Sequence, residues 1–195
     1  TTSVLFGIAC AAKIISVQNG YWHIYVLLLL PTSGLLVRLF IIQHDCGHGS
    51  FLKAKFWNDF IGRVLSILTV TPYGFWRRTH NMHHAGSGNL ERRGYGGIET
   101  LTVREYKSLP FSKRLIYRFY RNPFFLLVLG TPLFVMIGQR FPMTEPFAFT
   151  EMHKVAKLKG AWKSVMALNL AILVFYGLAM YVLGPSTVLI VTLPV

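Results

Sequence analysis

The chain has little charge, few acidic residues and almost no cysteine. Only 14% of its residues are Asp, Glu, Lys or Arg, where a soluble domain carries about a quarter. It is 53% hydrophobic, with a mean hydropathy of +0.46. Together with apolar runs near membrane-spanning length, this argues against an ordinary soluble domain. Two cysteines exclude a disulfide scaffold, and the abundance of apolar and aromatic side chains excludes intrinsic disorder. Internal repeats and low-complexity tracts are absent, and 195 residues allow one domain. Seven acidic residues against twenty basic ones leave a net charge of +13. In a soluble chain that balance points to nucleic acid, but no nucleic-acid motif accompanies it. The basic residues fall instead between the apolar runs, as the positive-inside rule expects of cytoplasmic loops, where they also face anionic head groups. The expected fold class is all-α: an integral membrane protein with transmembrane helices plus interfacial or re-entrant helices.

The first apolar run, residues 4–17, contains Lys13 and is short of the roughly 20 residues of a span; it lacks the basic flank and cleavage site of a signal peptide. Residues 21–42 are long enough for one crossing. Tyr21 and Trp22 suit its interfacial end, Pro31 and Gly34 are candidate kinks, and Arg38 can snorkel at the far end. Residues 51–73 are interrupted by Lys53, Lys55, Asn58, Asp59 and Arg63. They read as a helix lying in the interface, with 64–70 a candidate re-entrant portion. Residues 75–121 are polar and basic and are placed in the cytoplasm; 114–121 alternates basic and aromatic residues, as a segment hugging the membrane surface does. Residues 124–138 form a third apolar run, interrupted by Gly130, Thr131 and Pro132. The loop 139–163 after it is basic, so the positive-inside rule favours a segment that returns to its own side. Residues 165–183 are a good span, Gly184 and Pro185 turn the chain, and a last run starts near Ser186. Residue 1 is Thr and the last run stops at Val195, so both ends are expected to be cut.

Five of the seven histidines fall in two clusters. His44 and His48 are four apart; His80, His83 and His84 are spaced i, i+3, i+4. On helices, each cluster shares a face. Imidazole suits zinc, copper, iron and nickel, and ionisable groups at membrane depth are functional candidates by default. Between His48 and His80 lie 31 residues, too few for two crossings at about 20 each. One crossing would separate the clusters, whereas an interfacial helix keeps both on one side, where they can converge. Five imidazoles exceed the need of one tetrahedral zinc and point to a two-metal site, with iron the leading metal.

The segments His44-Asp45-Cys46-Gly47-His48 and His80-Asn81-Met82-His83-His84 resemble the first two histidine boxes of the membrane fatty acid desaturases. The Asp-Cys-Gly filling and the approach Trp76-Arg77-Arg78-Thr79-His80 are similar to the acyl-lipid, omega-6-like type. The stretches His84-Ala85-Gly86 and Leu90-Glu91-Arg92-Arg93-Gly94 are similar to bacterial members. The resemblance runs from Tyr21 onward. It implies a di-iron centre of two iron ions, incomplete in this chain, to which His44, His48, His80, His83 and His84 would contribute as ligands. It also implies O2 as co-substrate and a long-chain fatty acyl substrate that is lipid-, coenzyme A- or carrier-linked. Two electrons would come from a ferredoxin or cytochrome b5-type donor. An alkyl C–H bond offers a general base no acidity, so the hard chemistry falls to the cofactor. The implied setting is the bacterial inner membrane, boxes facing the cytoplasm, with the lipid bilayer and no nucleic acid as surroundings. The family's third box, of His-x-x-His-His type near the C-terminus, has no match after His84. Residues 1–195 are accordingly expected to be a single, partial desaturase domain truncated at both ends, with activity belonging to the parent protein.

Asp45 is weighed as an orienting partner of a ligand imidazole against a helix cap or an arginine pair; Asn81 as a polar neighbour of the metals against plain exposure. Cys46 is expected to pack, and Cys10 and Cys46 to be thiols. Trp76, Arg77 and Arg78 are candidates for an acyl head group or an interfacial anchor. His23 is read as interfacial, opposite the metal side, and His153 as solvated. Related histidine-box hydroxylases, ketolases and alkane monooxygenases remain open and are separated by product. So does a non-enzymatic membrane metal-binding or transport protein, for which metal uptake into vesicles would speak.

Overall fold

The computed structural model describes residues 1–92, 98–142, 159–184 and 187. Every regular element among them is helical, as the composition predicts. The helices are α1 (Thr2–Gln18), α2 (Trp22–His48), α3 (Lys55–Thr69), α4 (Tyr73–Ala85), α5 (Val103–Ser108), α6 (Phe111–Tyr120), α7 (Thr131–Met136) and α8 (Ala161–Leu183). Single turns fill Leu90–Arg92, Phe125–Gly130 and Gly138–Arg140. α2 and α8 are long and apolar enough to cross a membrane, by length and composition; α1, at 17 residues, is shorter. The expected spans at 21–42 and 165–183 thus become helices that reach further, and α2 runs on through the first histidine cluster. The third apolar run, Phe125–Arg140, turns 75° away from α6. Pro132 lies in the first turn of α7, directly after the wider turns of Phe125–Gly130. The loop residues from 143 to 158, including His153, and most of the run after Gly184 lie outside the described residues.

The chain divides into two compact units, Thr1–Tyr73 with Ala167–Val195, and Gly74–Met166. In the first, α1 and α2 form an antiparallel hairpin turned at Asn19-Gly20-Tyr21. Phe6 and Cys10 pack with Leu39 and with Leu65 of α3, while Ile14 packs with Tyr25 near the turn. The Gln18 side chain donates to the Leu183 carbonyl at 3.2 Å, fixing the end of α8 to the same turn. Lys13, which merely interrupts the first run in sequence, is fully buried, its Nζ 6.0 Å from the centre of the Tyr25 ring.

α3 is inside out by the standards of a soluble helix. Asn58, Gly62, Leu65, Ser66 and Thr69 form its buried stripe, at helical spacing. Phe56, Trp57, Phe60 and Val64 are exposed. Small and polar residues allow close helix contact and the aromatics are left outward, the pattern expected of a helix solvated by lipid. The polar side chains of this stripe, Asn58, Ser66 and Thr69, are hydrogen-bonded, as burial demands. Asn58 closes the preceding loop through both Leu52 backbone groups at 3.0 and 2.6 Å. Thr69 donates to Gln43 of α2 at 2.5 Å.

In the second unit, Phe75 of α4 packs with Ala161 and Val165 at the start of α8. The Phe75 N–H donates to the Ser164 hydroxyl at 3.0 Å. Arg78 donates to the carbonyls of Gly74, at 3.1 Å, and of Lys159. These bonds hold α4 by its first two turns.

Candidate metal-binding histidines

His44 and His48 occupy the last turn of α2. The helix ends directly after them because Gly49 adopts φ 73°, and its N–H returns to the carbonyls of Asp45 and Cys46. A left-handed C-terminal residue is the usual glycine role. The imidazole rings lie 4.6 Å apart, edge to face, on the shared face that i, i+4 spacing predicts. Asp45 Oδ1 lies 3.4 Å from His44 Nδ1, a contact that favours the tautomer leaving Nε2 as the ligand atom. Both side chains are partly exposed, at 35% and 45%, so their charge pairing is weak.

The first cluster is braced from a residue that its own sequence does not reveal. Tyr73, 27 positions from Cys46, donates its hydroxyl to the Cys46 carbonyl at 2.9 Å. It reaches there across Gly62: a Cβ on that glycine would stand 2.2 Å from the Tyr73 ring, well inside van der Waals contact. Cys46 itself is buried and free of disulfides, as expected. Tyr73 and Gly62 carried no spacing signal; only a fold that apposes α2 and α3 discloses them.

His80, His83 and His84 lie on the second half of α4. His80 and His84 bring their Nε2 atoms to 3.0 Å. That separation fits two imidazoles in adjacent positions around a metal with bonds of about 2.1 Å. His83 is further round the helix, its ring 6.4 Å from that of His80 and 5.8 Å from that of His84. Trp76 stacks on His80 at 4.6 Å with the planes 15° apart. Its i, i+4 spacing from His80 is visible in the sequence, and the stack gives Trp76 a role beyond a head group contact or an interfacial anchor. Asn81 and His23 are exposed.

The 20–195 segment matches the family model described as fatty acid desaturase. The chain belongs to the fatty acid desaturase family. A fatty acid desaturase of Bacillus subtilis (strain 168) is 46% identical over 120 residues, covering 60% of this chain and 34% of that protein. An Arabidopsis thaliana acyl-lipid omega-3 desaturase (cytochrome b5), endoplasmic reticulum, is 33% identical over 186 residues, covering 92% and 45%. A Nostoc sn-1 acyl-lipid omega-3 desaturase (ferredoxin) is 27% identical over 141 residues, covering 72% and 36%. The chain thus spans between a third and a half of the length of these relatives. No solved structure matches it. Family membership agrees with the resemblance carried by the two histidine clusters, and a donor set made of imidazoles fits a transition metal.

Proposed function

We propose that this chain is the histidine-bearing part of a membrane acyl desaturase, with His44, His48, His80, His83 and His84 as ligands of a di-iron centre. The observation that carries the reading is the 3.0 Å approach of the His80 and His84 Nε2 atoms, in a chain of the desaturase family. Two ring nitrogens at that distance stand where they can ligate one metal ion. When bound, the iron pair supplies the oxidising power that an unactivated C–H bond demands. The overall change removes two hydrogens from a –CH2–CH2– unit. O2 is reduced to two waters with two external electrons and two protons.

This chain's own residues orient and shield. Asp45 holds His44 by Nδ1, keeping Nε2 for the metal. Trp76 fixes the ring plane of His80 and covers one of its faces. Tyr73 holds the Cys46 carbonyl and so the turn that presents His44 and His48. The names of the Arabidopsis and Nostoc relatives carry cytochrome b5 and ferredoxin, which supports an electron donor of one of those kinds and an acyl-lipid substrate. Basic loops between apolar helices support the inner membrane with the histidines on the cytoplasmic side.

The test is expression of the whole gene product in a host lacking desaturases, with mass spectrometry of the fatty acid methyl esters and metal analysis of the purified protein. A new carbon–carbon double bond and bound iron are expected. A hydroxylated product, or a protein that binds no iron, overturns the reading.

A further inference from the structure

The second unit carries a basic, amphipathic platform outside the histidine clusters. Between Arg104 and Arg121 there are six basic residues and one acidic one, Glu105. Glu105 is committed to the Thr102 capping box at the start of α5. α6 is tied to the preceding segment by tyrosines: Leu101 N–H donates to the Tyr117 hydroxyl at 3.1 Å and Glu99 N–H to that of Tyr120 at 3.0 Å. Away from those tyrosines, Phe111, Leu115, Ile116 and Phe119 form an apolar stripe at helical spacing. Their exposure runs from 45% for Ile116 to 74% for Phe111. Beside the stripe, a shallow, open depression of about 380 Å³ is lined by Tyr106, Tyr117, Arg118 and Arg121, among others. Arg118 Nε donates to the Tyr106 hydroxyl at 2.7 Å, which orients the guanidinium and leaves its terminal N–H groups, and the Tyr106 O–H, for a further acceptor.

We propose that α6 lies in the membrane surface and that the Arg118–Arg121 depression binds the phosphate of an anionic phospholipid. Charge selects the occupant. An apolar stripe flanked by arginines is the pattern of an interfacial helix on anionic lipid, and arginine matches phosphate with forked N–H donors. The local geometry agrees: Phe125–Arg140 turns 75° from α6, so if that apolar segment points into the bilayer, α6 lies nearly in its plane. The four basic residues Lys113, Arg114, Arg118 and Arg121 would be costly in a span but suit the interface. None of these residues belongs to the histidine clusters, so the proposal stands or falls separately from desaturation.

The experiment uses the full chain in nanodiscs, with Leu115→Cys carrying an environment-sensitive fluorophore. Cys10 and Cys46 are buried, which leaves labelling to the introduced thiol. Nitroxide lipids report depth and lipid identity. Shallow nitroxides are expected to quench more than deep ones, and nitroxide phosphatidylglycerol more than nitroxide phosphatidylcholine. Arg118→Gln and Arg121→Gln are expected to lower that preference roughly fivefold each and to leave the depth unchanged. Equal quenching by the two lipids, a fluorophore that stays in water, or strongest quenching at the bilayer centre each overturns the proposal. A label at Phe111→Cys repeats the reading on the same stripe.

Discussion

The two histidine clusters carry the same side chain but are held by different means. His44 and His48 sit at the end of a 27-residue apolar helix. A left-handed glycine stops that helix, and a tyrosine from 27 positions away braces it. His80 and His84 sit on a 13-residue helix, steadied within reach of their own sequence by Trp76 one turn before. The first cluster therefore depends on tertiary packing through α3, while the second takes its ring geometry from helix periodicity. Damage to the α2–α3 contact should be felt by the first pair, and damage to one aromatic ring by the second.

The sharpest break is direct. His80→Ala with His84→Ala removes the 3.0 Å nitrogen pair and is expected to lower bound iron at least about a hundredfold, read by metal analysis of the purified protein. If iron is retained, the pair is not a ligand pair. Next comes Gly62→Ala, whose added methyl overlaps the Tyr73 ring. Overpacking of this kind costs about 1–3 kcal/mol, measurable as a lower midpoint of thermal unfolding in detergent; coupling the change with Tyr73→Ala should restore part of the loss. Gly49→Ala forces a left-handed alanine at the end of α2, at about 1–2 kcal/mol. Faster amide exchange around His48, with α4 unaffected, would separate the two regions. The smallest effect is expected from Trp76→Leu. Loss of the stack on His80 is worth about 0.5–1.5 kcal/mol, seen as weaker retention of iron against a chelator while the unfolding midpoint stays nearly constant.

Much of this was legible in the sequence because it rests on periodicity. Apolar runs marked α2 and α8, and i, i+4 spacing put His44 with His48 and His80 with His84 on common faces. The histidine segments also carried the family resemblance that the comparison bears out. What escaped was nonlocal or ambiguous in sign. Tyr73 and Gly62 meet only because α2, α3 and the start of α4 pack together. The sequence reads residues 51–73 as a helix lying in the interface; that Phe56, Trp57 and Phe60 face outward while Asn58, Ser66 and Thr69 are buried shows only in the packed structure.

The sequence by itself determined the helical class of the described residues, the two apolar helices long enough to cross a membrane and the two histidine faces. Helix periodicity and the length of a bilayer crossing are local properties of consecutive residues. Only the tertiary structure decided how the first pair is held: the Tyr73 hydroxyl reaches the Cys46 carbonyl because Gly62 has no side chain in its way. A contact between residues far apart in the chain exists only once the helices between them have packed.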